Sequence, residues 1–528
     1  MARGPETGAH ETSTLRRLPL MRLFLLSAAL VAAPAWSQAE SESAPRSPAA
    51  ETLGLETTAG AALYADAHRA TIDFRLGEAR DLYARLGAVE PASPAAAYGL
   101  EAAALYEAML QEREPYLGQF YALHDPLTAP ADALPDSPPA ELLRATARLH
   151  RALAYGRQER YVQAGRAFRS ACGRFKSLAR GSSPLSDADF GDGLCQIVAG
   201  SIPREYRWLG KLLGFTGTVQ DGLAALDRAS QRGAFRLEAA AVYALADGSL
   251  NERRANAQDR FAEVADGHPD SPLVGYLDGF LALADRRAPD AEGALRRALE
   301  AQSAPGVSPV PLVEATLGLT LFRLDDFDEA STHLDAFVRG YRGKALVAQS
   351  TLLAGLAHEM SGKRARAEAT YRRVRALRDY DSDESAVREA EKRLEAPLST
   401  SERTLLLGQN AFDSGRYERA VSVLQPVVTD ASLPQEQRAE AAYRTGRAYQ
   451  ALEEWDRALG HFRLAADRPG DPLAKWGPWS LYHIGEVYEA QGEEADARNA
   501  YEAALDNEDA FDYRKSLEQR ARAALERL

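Results

Sequence analysis

The 528-residue sequence holds only two cysteines, Cys172 and Cys195, with no CxxC pair and no Cys/His set at ligand spacing, so a structural zinc site has no basis. Two thiols 23 positions apart are compatible with one disulfide in an oxidising compartment; two buried, small apolar side chains are the other reading. Aromatic residues make up 8% of the chain, and isoleucine, valine and threonine are sparse beside alanine, leucine, glutamate and arginine, which disfavours strands. Basic charge is in deficit, with 63 basic against 76 acidic residues and a net charge of −13. Such a chain repels phosphate backbones and anionic surfaces, and no basic run interleaved with aromatics is read as offsetting that sign, which argues against nucleic acid as a ligand. HExxH, GxxxxGK[ST], GxSxG and a GxGxxG following a strand are all missing, so neither a catalytic constellation nor a cofactor is expected. The helical histidines His333, His358, His461 and His483 have no second histidine one turn away and read as packed or surface residues.

Only one apolar run approaches membrane length. Arg16, Arg17 and Arg22 precede Leu23–Ala33, and small residues follow around Ala35–Ala39, the pattern of a secretory signal peptide over residues 1–39. The run is too short to span a bilayer comfortably, and no cysteine follows it for lipid attachment. Met21 is an alternative start. The expectation is an exported protein, periplasmic or extracellular, with residues 40–59 as a flexible linker.

Self-similarity organises the remainder. Three C-terminal segments begin at Leu407, Thr445 and Ile484, and each carries a glycine in its first helix: Gly408, Gly446 and Gly485. Twelve residues later stand Ala420, Ala458 and Ala497, and four beyond those a large side chain: Leu424, Phe462 and Tyr501. Small residues let two helices of a hairpin approach, and the large one is expected to fill the space between one hairpin and the next. Weaker copies occur around Gly355/Tyr371, Gly318/Leu334 and Gly279/Leu295, and nearer the N-terminus around Tyr155–Phe168 and Ala79–Leu86. The pattern resembles the tetratricopeptide repeat. That resemblance implies an all-α fold of antiparallel hairpins stacked as a right-handed solenoid; the stretched spacing between Ala367 and Ala420 is read as dividing it into two arrays, with one continuous solenoid as the other reading.

Two places interrupt the period. Residues 381–400, containing SAVREAEKRLEA, read as a capping helix joining central repeats 233–380 to a C-terminal array 401–528. Residues 181–232 follow the N-terminal repeats 60–180 and carry a Gly/aromatic insertion with Tyr206, Trp208 and Phe215. Within it, LLGFTGTVQDGLAALDRA (212–229) resembles a segment of the eukaryotic tetratricopeptide family that includes the fungal inclusion-body-clearance protein. That likeness implies a repeat-based adaptor, linked to membrane or lipid surfaces, with no catalytic residues to carry over.

In the tetratricopeptide pattern, side chains beside the first-helix glycine line the concave face. This places Leu405, Gln409, Phe412, Tyr443, Arg447, Gln450, Trp479, Tyr482, Glu486 and Glu489 in a partner groove. The leading expectation is a non-catalytic scaffold for a protein partner in a cell-envelope assembly. Lipid or glycan handling, with Tyr206, Trp208 and Phe215 as a second contact, is the alternative, and a hydrolase with a cryptic site is a third reading.

Overall fold

The computed structural model describes residues 53–133, 136–181, 187–202, 216–231, 235–247, 254–377, 383–467, 475–506 and 514–528. Among these, 24 α-helices follow one another with no strand. The N-terminal set is α1 (Thr58–Ile72), α2 (Leu76–Val89), α3 (Ala95–Gln111), α4 (Glu114–Ala133), α5 (Pro138–Arg157), α6 (Tyr161–Ala179), α7 (Ala188–Gly200) and α8 (Val219–Gln231). The central set is α9 (Arg236–Ala246), α10 (Arg254–Ala265), α11 (Pro272–Ala284), α12 (Ala288–Ala301), α13 (Leu312–Arg323), α14 (Phe327–Gly340), α15 (Val347–Met360), α16 (Arg364–Val374) and α17 (Asp383–Glu395). The C-terminal set is α18 (Thr400–Asp413), α19 (Tyr417–Thr429), α20 (Gln435–Ala451), α21 (Trp455–Ala466), α22 (Trp476–Gln491), α23 (Glu494–Leu505) and α24 (Arg514–Arg527). Consecutive helices pack in pairs and each pair packs on the next, which is the helical-repeat solenoid.

The repeat residues hold the pairs together by one recurring contact. A Cβ built on Gly408, Gly446 or Gly485 would lie 2.3, 2.7 or 2.5 Å from Leu424, Phe462 or Tyr501 of the same hairpin. Gly279, Gly318 and Gly355 stand in the same relation to Leu295, Leu334 and Tyr371, at 2.4, 2.6 and 2.5 Å. The large residue therefore rests on the glycine of its own hairpin and also packs on the following unit, as Leu424 does with Ala441, Phe462 with Ile484 and Tyr501 with Leu517. The reason is local: hydrogen is the only substituent that leaves room for a ring or isobutyl group at this helix separation.

The N-terminal helices depart from a simple stack, in which units touch only their neighbours. Helix α3 buries 13 of its 17 residues and α9 buries 9 of its 11, so neither has a solvent face. They lie inside because the start of the chain folds back on the central hairpins. Ser271 Oγ donates to the Ile72 carbonyl and Ser308 N to that of Phe74, each at 2.7 Å. Glu112 accepts the backbone N–H groups of Lys344 and Ala345 at 3.0 and 2.9 Å. Burying α3 also buries Glu101, whose two oxygens accept Nδ1–H of His124 at 2.8 Å and of His150 at 2.6 Å. All three side chains are inaccessible. Burial pushes the Glu101 carboxyl up, but His150 and His124 outweigh it and hold it below the usual carboxylate range.

Helix α17 falls within residues 381–400 and packs Ala386, Val387 and Ala390 inward. Its buried Arg393 reaches Glu402 of α18 at 2.8 Å, while Glu402 and Ser399 form the capping box that starts α18. The first C-terminal hairpin then docks on the α13–α14 turn. Asn410 Nδ2 donates to the Phe322 carbonyl at 2.7 Å and to Asp325 at 3.1 Å, and Arg416 and Arg419 each reach Asp325 at 3.1 Å. Gly415, beside that contact, meets the α11–α12 turn: it holds φ +81°, and an added Cβ would lie 2.3 Å from the Arg286 carbonyl oxygen, so a side chain has no room.

Cys172 and Cys195 are disulfide-bonded, with Cα atoms 5.7 Å apart, joining α6 to α7. The signal segment, the linker up to residue 52 and the 203–215 insertion lie outside the described residues.

Gly446→Val forces a methyl-bearing Cβ into the Phe462 ring and should cost about 1–3 kcal/mol in denaturant unfolding, whereas an unchanged midpoint contradicts a close Gly446–Phe462 contact. Replacing both cysteines with serine opens a 23-residue loop and should cost about 3 kcal/mol, read as a lowered Tm that reductant reproduces in the parent chain.

Candidate functional site

The glycine contacts fix how α20 and α22 present their remaining faces. Gly446 and Gly485 turn toward Phe462 and Tyr501, which leaves Tyr443, Arg447 and Gln450 of α20 facing Trp476, Trp479, His483 and Glu486 of α22. His483 stands at the centre. Its ring lies against Phe462 and Trp479, stacked at centroid distances of 5.6 and 6.0 Å, with Tyr482 edge-on at 5.2 Å and Tyr443 tilted at 5.6 Å.

The hydrogen bonds assign its proton. Arg447 Nη1 lies 2.9 Å from His483 Nε2, and a guanidinium can only donate, so Nε2 is the bare acceptor. Tyr443 Oη lies 3.2 Å from the same nitrogen. Nδ1 therefore carries the hydrogen and donates to Glu486 Oε2 at 2.6 Å, where Gln450 Nε2 also donates at 3.0 Å. Burial, and next the Arg447 charge, push the His483 pKa down from 6.5 to about 4. Burial raises the Glu486 carboxyl, but the hydrogen bonds from His483 and Gln450 and the Arg447 charge outweigh it and hold it well below the usual range.

A surface strip extends from this lock. Trp476 lies 5.2 Å from Tyr443, with Lys475 and Arg444 over its ring at 4.8 and 5.5 Å. Phe412 of α18 takes Arg286 of the central hairpins on one side at 4.5 Å and Arg447 on the other at 5.4 Å. Tyr443, Trp476, Trp479, Phe412, Arg444 and Arg447 are all half-buried, so each ring keeps an accessible part.

Of the ten expected groove residues, Tyr443, Arg447, Gln450, Trp479 and Glu486 converge, and Phe412 joins them through Arg447. Leu405 and Tyr482 are corrections. Each is 6% exposed, Leu405 packed with Leu424 and Val427 and Tyr482 packed with Tyr501 and Leu517, so both are core. Their positions point toward the neighbouring helix of the repeat rather than out of it. Glu489 accepts from Tyr501 Oη at 2.7 Å and from Arg527 at 3.1 Å, tying down the last helix, and Gln409 bonds its own Asp413 at 3.4 Å. Tyr206, Trp208 and Phe215 lie outside the described residues. His483, an ordinary helical histidine by sequence, is the hub. The available signal was Glu486 three residues on and Trp479 four residues before, both on its own helical face.

The arrangement suits holding rather than reacting, since the one bare imidazole nitrogen is already occupied by Arg447 and Tyr443. Among the described residues no group of three or more His, Cys, Asp or Glu could hold a metal ion, and no helix is long and apolar enough to cross a membrane.

Comparison with known proteins agrees with this architecture. The family model described as tetratricopeptide repeat matches residues 479–508, which is the α22–α23 hairpin. No curated protein matches the chain, so the narrower likeness to the inclusion-body-clearance family gains no support there. The TPR2AB domain of yeast Sti1, solved in complex with an HSP90 peptide, is 16% identical, covering 50% of this chain and 99% of that one with a TM-score of 0.20. A monomeric mutant of IFIT1 with Gppp-AAAA is 14% identical, covering 86% and 95% with a TM-score of 0.29. A chain of the APC/C hetero-tetramer Cut9–Hcn1 is 13% identical, covering 90% and 98% with a TM-score of 0.22. Superpositions at these scores carry no argument about a shared site.

The neutral His483 has a consequence for stability. Its folded pKa of about 4 lies below the unfolded 6.5, so the unfolded chain binds the extra proton and stability falls as pH drops from about 6.5 to 4. The loss should reach about 3 kcal/mol, and His483→Gln should flatten that part of a stability–pH curve. An unaltered curve in the variant means His483 is not neutral in the folded chain.

The hairpins, the glycine contacts and the match over the last hairpin agree: the described residues fold as a helical-repeat solenoid of the tetratricopeptide type, and its α22–α23 hairpin matches the tetratricopeptide repeat.

Proposed function

We propose that the protein is an extracytoplasmic scaffold that holds a segment of a partner protein against the strip formed by α18, α20 and α22 in a cell-envelope assembly. The observation that carries this reading is the Arg447–His483–Glu486 lock beneath Tyr443 and Trp479. It fixes half-exposed aromatic rings in place before any partner arrives, and rigid Trp, Tyr and Arg side chains supply most of the contact energy in protein interfaces. Export is supported by the basic n-region and the apolar run Leu23–Ala33, and by a disulfide, which is a bond of oxidising compartments.

The test is affinity purification of the tagged protein from its native envelope after mild crosslinking, compared with Trp479→Ala and Tyr443→Ala chains of verified fold. A protein partner held by the parent and reduced about tenfold or more by either substitution is the expected result. Equal capture by all three chains, or only lipid or glycan co-purifying, rejects this groove as the partner site.

A further inference from the structure

A second surface stands apart from the groove, on α6. From Arg160 to Arg180 the chain has six basic residues (Arg160, Arg166, Arg169, Arg174, Lys176 and Arg180) and no acidic one, against a net charge of −13 for the whole. This corrects the expectation that no basic run offsets the acidic sign; the run is inconspicuous in sequence because Tyr161, Phe168 and Phe175 and several small residues are spread among the cations. In the structure, Val162, Arg166, Arg169, Gly173, Lys176 and Arg180 recur alternately four and three residues apart and all are exposed, forming a single stripe along the helix. From Arg166 to Arg180 it runs about 21 Å.

The stripe is not consumed by the fold. Arg174 points elsewhere and is held by Glu141, while Arg160 lies over the Tyr155 ring at 4.5 Å. Lys176 donates to Thr216 Oγ1 at 3.1 Å, and the carboxyl that Arg180 and Lys176 act on is Asp192 of α7, largely buried and bonded by Gln196 at 2.7 Å. Arg166 and Arg169 have no partner among the described residues. The helix itself buries only Ala171, Phe175 and Leu178 and nothing in residues 161–170, and the Cys172–Cys195 bond secures it to α7. Its inner face packs through Ala171, Phe175 and Leu178, with Phe168, Cys172 and Ala179 partly buried beside them, and the stripe face is left uncovered among the described residues. Val162, 66% exposed, is the most exposed large hydrophobic side chain among those described.

We propose that this stripe is a docking site for an extended acidic segment of a partner protein, separate from the C-terminal groove. The match is in shape and sign. The row is one residue wide, and about six or seven residues of extended chain cover its length. At Gly173 an added Cβ would meet nothing within 4 Å, so the space between Arg169 and Lys176 admits a side chain from the partner. A planar anionic bilayer fits less well, because it would also face the acidic surface of a chain with net charge −13.

The test uses the full chain and a fluorescent oligoglutamate peptide, followed by anisotropy at low salt and at roughly 0.3 M salt. Binding should weaken with salt and fall about tenfold in the Arg166→Glu/Arg169→Glu double variant. The Arg166→Lys/Arg169→Lys variant should bind as the parent does, and so should Tyr443→Ala, which alters only the groove. Both stripe positions are exposed, so Tm should not change. No binding, or binding indifferent to the charge reversal, overturns the proposal. Sedimentation with phosphatidylglycerol vesicles that depends on Arg166 and Arg169, without peptide binding, overturns it in favour of a lipid surface.

Discussion

The structure depends on how closely two helices of a hairpin can approach, and that distance is set by glycine against a large side chain sixteen residues later. Gly408 on Leu424, Gly446 on Phe462 and Gly485 on Tyr501 repeat one geometry along the C-terminal array, and Gly279, Gly318 and Gly355 repeat it in the central hairpins. A methyl group at any of these positions would displace a ring or a branched chain that is itself fully enclosed. Once the approach is fixed, the outward faces of the first helices are fixed too. This is why Arg447 and His483, on different hairpins, meet at 2.9 Å.

The second constraint is what happens to polar groups when a repeat array folds back on itself. Helices α3 and α9 lie inside, and each carries one buried carboxylate, Glu101 or Glu238, in an otherwise alanine-rich run. Glu101 is tolerated because two imidazoles bond both of its oxygens, and Glu238 stands within 3.8 Å of His68 and 3.4 Å of Tyr106. A buried charge left without such partners costs far more than the burial of its neighbours returns. The same logic governs the junction, where Asp325 gathers Asn410, Arg416 and Arg419, and where Arg393, 1% exposed, is shared between Glu389 and Glu402.

In the groove, the polar lock does a different job. A neutral His483, with Arg447 on one nitrogen and Glu486 on the other, converts three flexible side chains into a rigid floor beneath Tyr443 and Trp479. Rings held in this way lose little further freedom on contact with a partner. The α6 stripe is the electrostatic counterpart: it is exposed, salt-sensitive by nature, and far simpler in its packing.

The hairpins and their register were legible in the sequence because helix periodicity and the spacing of Gly, Ala and large residues are local properties. The helix at 383–395 could be read for the same reason. The convergence of Tyr443, Arg447, Gln450, Trp479 and Glu486 on one face could be read from the repeat pattern alone, since position beside the first-helix glycine decides which way they point. Leu405 and Tyr482 could not be separated from them, because core and groove positions on an amphipathic helix carry the same residue types. The centrality of His483 and the enclosure of α3 were out of reach as well. The first needs Arg447 from the preceding hairpin to reveal the protonation of the ring. The second needs residues near 72–112 to meet those near 235–345, through bonds such as Ser308 to Phe74. Pairings across some two hundred residues leave no periodic trace in sequence. The sequence by itself determined the repeat and its spacing; the tertiary structure decided which surfaces were closed by the return of the chain and which stayed open.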